Sequence, residues 1–92
     1  MKQFLVISYD ITDNKNRLKV MKALEDYGKR VQYSVFECIL TRRQVEQLQN
    51  RLKKNVGKLD SVRFYSINAG DVNRIEVLGT GGVTRESTFF IQ

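Results

Sequence analysis

Asp10 is the carboxylate best placed to do chemistry in this chain of 92 residues. It directly follows the apolar segment Gln3–Tyr9, which reads as a buried first strand. An aspartate at a strand end can bind a hard cation such as Mg²⁺, which prefers carboxylate oxygens and keeps several waters. On the pattern alone, a turn residue or a helix cap is the commoner explanation. Asp13 is nearby, but a helix N-cap explains it better.

The residue types that are missing narrow the chemistry further. The chain has no histidine, so a Ser-His-Asp or Cys-His nucleophile is excluded, and with a single cysteine a zinc site is not expected. Hydrolysis would then need carboxylates, a metal or both. One aspartate is a poor metal site, whereas two copies of Asp10 facing each other across a twofold axis could hold a Mg²⁺ that activates water for attack on a phosphodiester.

The same counts indicate where the protein works. One cysteine, Cys38, cannot form an internal disulfide, which suits a reducing cytosol. The longest apolar run near the amino terminus is Phe4–Ile7, far too short for a membrane span or a signal peptide. We therefore expect a cytoplasmic protein with no membrane association.

The positive charge is concentrated in the middle of the chain. The net charge is +6, and residues 13–58 carry twelve basic side chains against five acidic ones. A solvated helix face is the ordinary explanation of such a segment. The alternative is a phosphate-binding surface without base specificity, which a dimer would double. No zinc-finger spacing, helix-turn-helix signature or RNP motif is present.

Two helices and four strands are predicted to position these residues. Apolar spacing predicts a helix over Lys15–Tyr27, with Asp13 or Asn14 as N-cap and Gly28 at its C′ position. Thr41 and Gln44 match a capping box at the start of a second helix, which Gly57 would close. The strands after the first are predicted at Arg30–Leu40, Ser61–Asn68 and Arg74–Leu78.

These elements predict an α+β fold of the ferredoxin-like βαββαβ type, with an antiparallel sheet and both helices on one face. We expect one domain over residues 1–92, with a core of 1–78 followed by a glycine joint and tail at 79–92. The apolar patch Thr88–Ile91 would be an aggregation hazard unless a sheet edge accepts it. A homodimer that exchanges this strand would remove the hazard.

Two ordered motifs point to a known family. The chain resembles the CRISPR-associated protein two family over nearly its whole length. The resemblance is carried by Tyr9-Asp10-Ile11, by Arg17 and Lys19, and by the segment Gly28–Cys38 with its G-x-R-V-Q-x-S-V-F-E pattern.

The resemblance implies a function in the adaptation stage of CRISPR immunity, together with the integrase CRISPR-associated protein one. It also implies a ferredoxin-like homodimer with an exchanged tail strand. Several family members are described as metal-dependent endonucleases on single-stranded RNA or double-stranded DNA. Mg²⁺ is the implied cofactor, with Mn²⁺ or another divalent cation as the alternative.

Carried over by position, the resemblance makes Asp10 the metal ligand and catalytic carboxylate, and it reverses the reading of Asp10 as a turn residue. Four residues match positions that the family links to activity or to the interface: Tyr9, Arg17, Arg30 and Phe36. The expected nucleic-acid contacts are Arg17, Lys19, Arg30, Arg42 and Arg43.

Three functions remain open from the sequence. The first is a Mg²⁺-dependent phosphodiesterase, and the second is a non-catalytic nucleic-acid scaffold that bridges integrase subunits. Both can hold together, since the scaffold needs only the dimer shape and the basic surface. The third is a small ferredoxin-like dimer that binds a ligand or regulates a partner.

Overall fold

A four-stranded antiparallel sheet forms the frame of the chain in the computed structural model, which describes residues 1–85. The strand order is β2-β3-β1-β4, so β1 is central and pairs with both β3 and β4. This is the predicted α+β arrangement of two βαβ halves. The elements are β1 (Lys2–Asp10), α1 (Asn14–Glu25), β2 (Gly28–Gln32), β3 (Val35–Thr41), α2 (Arg42–Leu52), a 3₁₀ turn (Lys53–Asn55), β4 (Ser61–Ile67) and α3 (Ala69–Val72).

The core lies between one face of this sheet and the helices α1 and α2. Alternate residues of a strand point to opposite faces, so β1 turns Leu5, Ile7 and Tyr9 towards the helices. They pack in one cluster with buried residues of α1 and α2, such as Leu24 and Leu48. The other face of the sheet is less covered, and it is the face to which Asp10 belongs. Within residues 1–85 no helix has the length and apolarity needed to cross a bilayer.

Both predicted helix starts are confirmed. The Asp13 side chain accepts a hydrogen bond from the Asn16 amide at 2.9 Å and caps α1. At α2 the Thr41 hydroxyl accepts from the Gln44 amide at 3.1 Å, and the Gln44 side chain accepts from the Thr41 amide at 2.8 Å. These reciprocal bonds satisfy amide groups that a helix start leaves without partners.

The predicted strand Arg30–Leu40 is wrong in one respect, because the chain turns back within it. Residues 28–41 form a hairpin of β2 and β3, with a register shift between Arg30 and Gln32. The turn at Tyr33 and Ser34 carries no glycine, proline, asparagine or aspartate, and the single serine is a weak turn signal that does not mark it. The turn is instead tied to β1, since the Tyr9 amide donates to the Ser34 carbonyl at 3.1 Å.

Gly28 was also misplaced by the sequence, which assigned it to the end of α1. The helix ends earlier, at Glu25 with Asp26 as C-cap, and Gly28 opens β2. Its missing side chain matters because β2 lies very close to β3 here. A Cβ at this position would lie 2.4 Å from both the Cys38 sulfur and the Glu37 carbonyl oxygen.

Gly28→Ala is therefore expected to destabilise the fold by about 1–3 kcal/mol, because the added methyl group has no space beside backbone atoms. Urea unfolding measures the change in the free energy of unfolding. Gly70→Ala is the matched control, since nothing lies within 4 Å of a Cβ built there. An unchanged unfolding midpoint for Gly28→Ala would contradict the close packing of β2 on β3.

The predicted strand Arg74–Leu78 does not form. The short helix α3 precedes this segment, and residues 75–78 have no regular structure. Its apolar side chains do not enter a sheet within the described residues, and Leu78 is fully exposed. The pattern was typical of a strand, but a strand also needs a neighbour with which to pair.

The predicted glycine joint has the backbone that only glycine adopts readily. Gly79 and Gly81 have φ angles of 95° and 104°. Beyond them Thr84 is buried and docks on β3, where its amide and hydroxyl both donate to one Glu37 carboxylate oxygen, at 3.1 and 2.7 Å. The apolar patch Thr88–Ile91 lies outside the described residues, so the exchanged strand stays a prediction.

Candidate functional site

Asp10 is the exposed last residue of β1. Tyr9 points into the core, so the alternation of the strand turns Asp10 to the opposite, open face of the sheet. Its cross-strand partner is Ser61 of β4. Among residues 1–85 the Asp10 carboxylate has neither a hydrogen-bond partner nor an ion-pair partner. It is therefore available to a ligand.

The loop that follows Asp10 is held by three separate contacts. Asp60 accepts hydrogen bonds from the Thr12 amide at 2.9 Å and from the Thr12 hydroxyl at 3.1 Å, and its other oxygen accepts from the Gly57 amide at 2.7 Å. These bonds from Thr12 and Gly57 hold the pKa of Asp60 below its ordinary value. Arg17 donates to the Ile11 carbonyl at 2.9 Å, and Asp13 caps α1. The backbone that follows Asp10 is thus held by Asp60 from the β4 side and by Arg17 from α1.

The carboxylate of Asp10 suits a hard divalent cation, but a single chain supplies few other ligands for one. In the part of the chain that the structure describes, no three His, Cys, Asp or Glu side chains come together to hold a metal ion. Asp13 and Asp60 are already engaged with backbone amides. A metal site at Asp10 would therefore need further ligands from outside this set of residues, with water completing the coordination of Mg²⁺.

Tyr9, Arg17 and Arg30 lie on the other side of β1, around the β2–β3 turn. Burial raises the pKa of the Tyr9 phenol, although the nearby Arg30 partly opposes this, so the group stays protonated. Its hydroxyl donates to the Tyr33 carbonyl at 3.3 Å. Arg30 donates to the same carbonyl at 2.8 and 3.0 Å. Three of the predicted site residues are thus brought together, but on the face opposite to Asp10.

Phe36 and Cys38 lie fully inside the core, with no exposed surface in the monomer. The Phe36 ring packs against Tyr9, with ring centres 6.3 Å apart. Burial raises the pKa of the Cys38 thiol to about 12, so this group is not a thiolate nucleophile at neutral pH. In one chain Phe36 therefore acts on the site only through packing.

The remaining predicted contacts lie on the helix layer. Lys19 is exposed on α1, and Arg42 and Arg43 are exposed in the first turn of α2. Arg42 also pairs with Glu46 at 3.4 Å, which leaves Arg43 as the less engaged guanidinium of the two. The basic surface and Asp10 are thus separated by the sheet.

Arg63, which no sequence pattern singles out, is an exposed cation on the same face of the sheet as Asp10. It lies in β4 opposite Ser8, two residues from Ser61 and on the same open face as Asp10. Only the pairing of β1 with β4 brings it there, so no local pattern could have shown it.

Comparison with known proteins assigns the chain to a family. The family model described as CRISPR associated protein Cas2 matches residues 2–75. The chain belongs to the Cas2 family. A relative from Chloroflexus aurantiacus, named CRISPR-associated endoribonuclease Cas2 3, is 45% identical over 92 residues, which cover 99% of each protein.

Solved structures agree with this assignment to the Cas2 family. The crystal structure of Streptococcus pyogenes Cas2 at pH 6.5 matches with a TM-score of 0.73 and 35% identity, covering 83% of this chain and 99% of that one. A chain of a partial Cas6-RT-Cas1–Cas2 complex matches with a TM-score of 0.65 and 29% identity, covering 83% and 90%. All the predicted site residues lie inside the Cas2 family match, whereas the tail after residue 78 lies outside it.

Proposed function

We propose that this member of the Cas2 family is a homodimeric, metal-dependent endonuclease that acts with the Cas1 integrase in CRISPR adaptation. The observation that carries the proposal is Asp10, an exposed carboxylate without a partner in the described chain, on a backbone held from both sides. The substrates are the phosphodiesters of single-stranded RNA, double-stranded DNA or both. Relatives named endoribonuclease and endonuclease support the activity, and the Cas1–Cas2 complex supports the partner.

In this proposal the open face of the sheet joins two protomers. The face carries Asp10 at one end and half-exposed apolar side chains such as Tyr65, which is 49% exposed. Association would bury that apolar surface and bring two Asp10 carboxylates towards one another. Mg²⁺ or Mn²⁺ held by this pair would supply a Lewis acid for hydrolysis. Arg63 on the same face would bind the phosphate that flanks the bond to be cut.

Neither an imidazole nor a reactive thiol is available in this chain to take the place of that metal. There is no imidazole to act as general base, and the Cys38 thiol is buried and protonated. Chelation by EDTA is therefore expected to stop cleavage of RNA and DNA by the purified protein, and Mg²⁺ or Mn²⁺ in excess should restore it. Cleavage that continues in EDTA would refute the metal-dependent mechanism.

One observation favours a second function, that of a nucleic-acid scaffold. The basic helices lie on the side of the sheet away from Asp10, so they can hold DNA in an adaptation complex without presenting it to the carboxylate. Phosphate contacts of this kind weaken as salt rises, because binding releases counterions. The scaffold needs no metal at Asp10.

Charge reversal at Arg43 tests the helix surface as the binding surface. We expect Arg43→Glu to weaken DNA binding and to flatten the dependence of log K on log salt by about one unit, as loss of one phosphate contact would do. Fluorescence anisotropy at several salt concentrations measures both quantities. Arg74→Glu is the control with the same change in charge, at an exposed site outside the two long helices. Equal losses in the two variants would show a general charge effect and contradict a surface on α2.

A further inference from the structure

An open cleft of about 290 Å³ lies between α1 and the turn that joins β2 to β3. Tyr9 forms part of its lining, and since Tyr9 and Asp10 point to opposite faces of β1, the cleft is separated from the proposed cleavage site by the sheet. Its lining also includes Arg17, Leu18, Met21, Arg30 and Tyr33.

One wall of the cleft is formed by Arg30, whose guanidinium group lies over the ring of Tyr33. The Arg30 guanidinium carbon lies 5.2 Å from the centre of the Tyr33 ring, and two of its nitrogens donate to the Tyr33 carbonyl. Tyr33 is nevertheless 72% exposed. A large aromatic side chain held in position with most of its surface in water offers a flat platform for a ligand.

The opposite wall comes from α1 and is both apolar and cationic. Leu18 and Met21 line it, and Leu18 is 49% exposed although it lies on a helix that packs against the core. Arg17 is held at the end of this wall by the Ile11 carbonyl and the Asn14 side chain. Both guanidinium groups are thus positioned in advance, so a ligand would lose little entropy in ordering them.

An aromatic platform, apolar walls and fixed guanidinium groups are what proteins use to bind an unpaired base of a nucleic acid. The bases of an intact duplex are stacked on one another and cannot enter such a cleft. We propose that this cleft binds one unpaired nucleobase at a single-stranded end, stacked on Tyr33 and Arg30, with its flanking phosphate on Arg17. The inference rests on the proposed binding of nucleic acid, but it does not need Asp10 or the metal.

Two DNA probes of equal duplex length test the site, one blunt and one with a short single-stranded overhang that contains 2-aminopurine. In EDTA, which prevents cleavage, we expect the unaltered protein to bind the overhang probe more tightly and to change its 2-aminopurine fluorescence. Tyr33→Ala should weaken binding of the overhang probe about 5- to 150-fold, the range measured for loss of one base–aromatic stack. It should leave binding of the blunt probe unchanged, and Tyr33→Trp should retain the preference.

Leu59→Ala is the matched control, since Leu59 is also a large exposed side chain but lies in the loop before β4, away from both proposed surfaces. Circular dichroism melting should show the same fold in all variants, because each change is at an exposed side chain. Equal affinity of the unaltered protein for both probes would overturn the nucleobase site, and so would equal losses in Tyr33→Ala and Leu59→Ala. Either result leaves the proposed function standing, because binding of the blunt probe supports it separately. Failure to bind either probe at low salt would instead reject nucleic-acid binding itself, and the inference with it.

Discussion

Asp10→Ala is expected to lower metal-dependent cleavage by about 100-fold or more, the usual effect of removing a group that stabilises developing charge at a reacting centre. In this proposal the loss is large because the carboxylates that follow and flank Asp10 in the described chain, Asp13 and Asp60, are already engaged. Asp13 caps α1 and Asp60 binds the amides of Thr12 and Gly57. Binding of DNA through the basic helices should persist, since these lie on the other side of the sheet.

Cleavage of labelled RNA and DNA with Mg²⁺ or Mn²⁺ measures the first effect, and anisotropy in EDTA measures the second. Asp10→Asn keeps the shape of the side chain and removes its charge, so it separates metal binding from folding. Asp71→Ala is the control, because Asp71 is an exposed acid in α3 that pairs only with Arg74 among the residues described. Asp10→Ala protein that still cuts as fast as the unaltered protein would reject the catalytic carboxylate, and the scaffold function would then stand alone.

Phe36→Ala is expected to lower the free energy of unfolding by about 3–5 kcal/mol, the range for removal of a buried aromatic side chain. That is a large part of the roughly 5–15 kcal/mol that stabilises a domain. The reason is that Phe36 has no exposed surface and contacts the Tyr9 ring, so truncation would leave a cavity at the centre of the sheet. Loss of activity in this variant would then follow from unfolding.

Urea unfolding of Phe36→Ala and Phe36→Leu distinguishes packing from a direct role. The leucine variant keeps most of the buried volume, so its urea midpoint should lie between those of Phe36→Ala and the unaltered protein. It should bind DNA normally while folded. A leucine variant that is stable but cannot bind DNA or dimerise would show that Phe36 contacts a ligand or partner directly. An alanine variant with an unchanged unfolding midpoint would contradict its place in the core.

The two faces of the sheet explain how one small protein can support both proposed functions. In these proposals Lys19 and Arg43 on the helix face would contact the backbone of bound DNA, and Asp10 and Arg63 on the open face would serve hydrolysis in a dimer. A chain can lose one of these surfaces and keep the other. The variants Asp10→Ala and Arg43→Glu therefore separate cleavage from scaffolding within one protein.

Several elements were predictable because their signals are local. The caps at Asp13 and Thr41 depend on residues within three positions, and both are present. The apolar spacing of the helices located α1 and α2 to within a few residues. The strand-end position of Asp10 likewise followed from the apolar run before it.

The errors came from features that depend on distant neighbours. The hairpin turn at Tyr33 and Ser34 has only a serine as a turn-forming residue, and it is held by Tyr9, which is 24 positions from Tyr33. The sequence places Gly28 at the end of α1, and only the close approach of Cys38 shows that the glycine is needed in β2. The segment Arg74–Leu78 has the composition of a strand but no neighbour that pairs with it within the described chain.

The family, the fold class and the absence of imidazole chemistry follow from the residue types and short spacings of the chain alone. That Asp10 and the cluster of Tyr9, Arg17 and Arg30 lie on opposite faces of one strand becomes known only from the folded arrangement. The folded arrangement also places Asp60 beside Thr12 and brings Arg63 to the same face of the sheet as Asp10, across large gaps in the chain. The physical reason is that strand alternation and strand pairing set where a side chain points, and pairing joins residues that no local pattern connects.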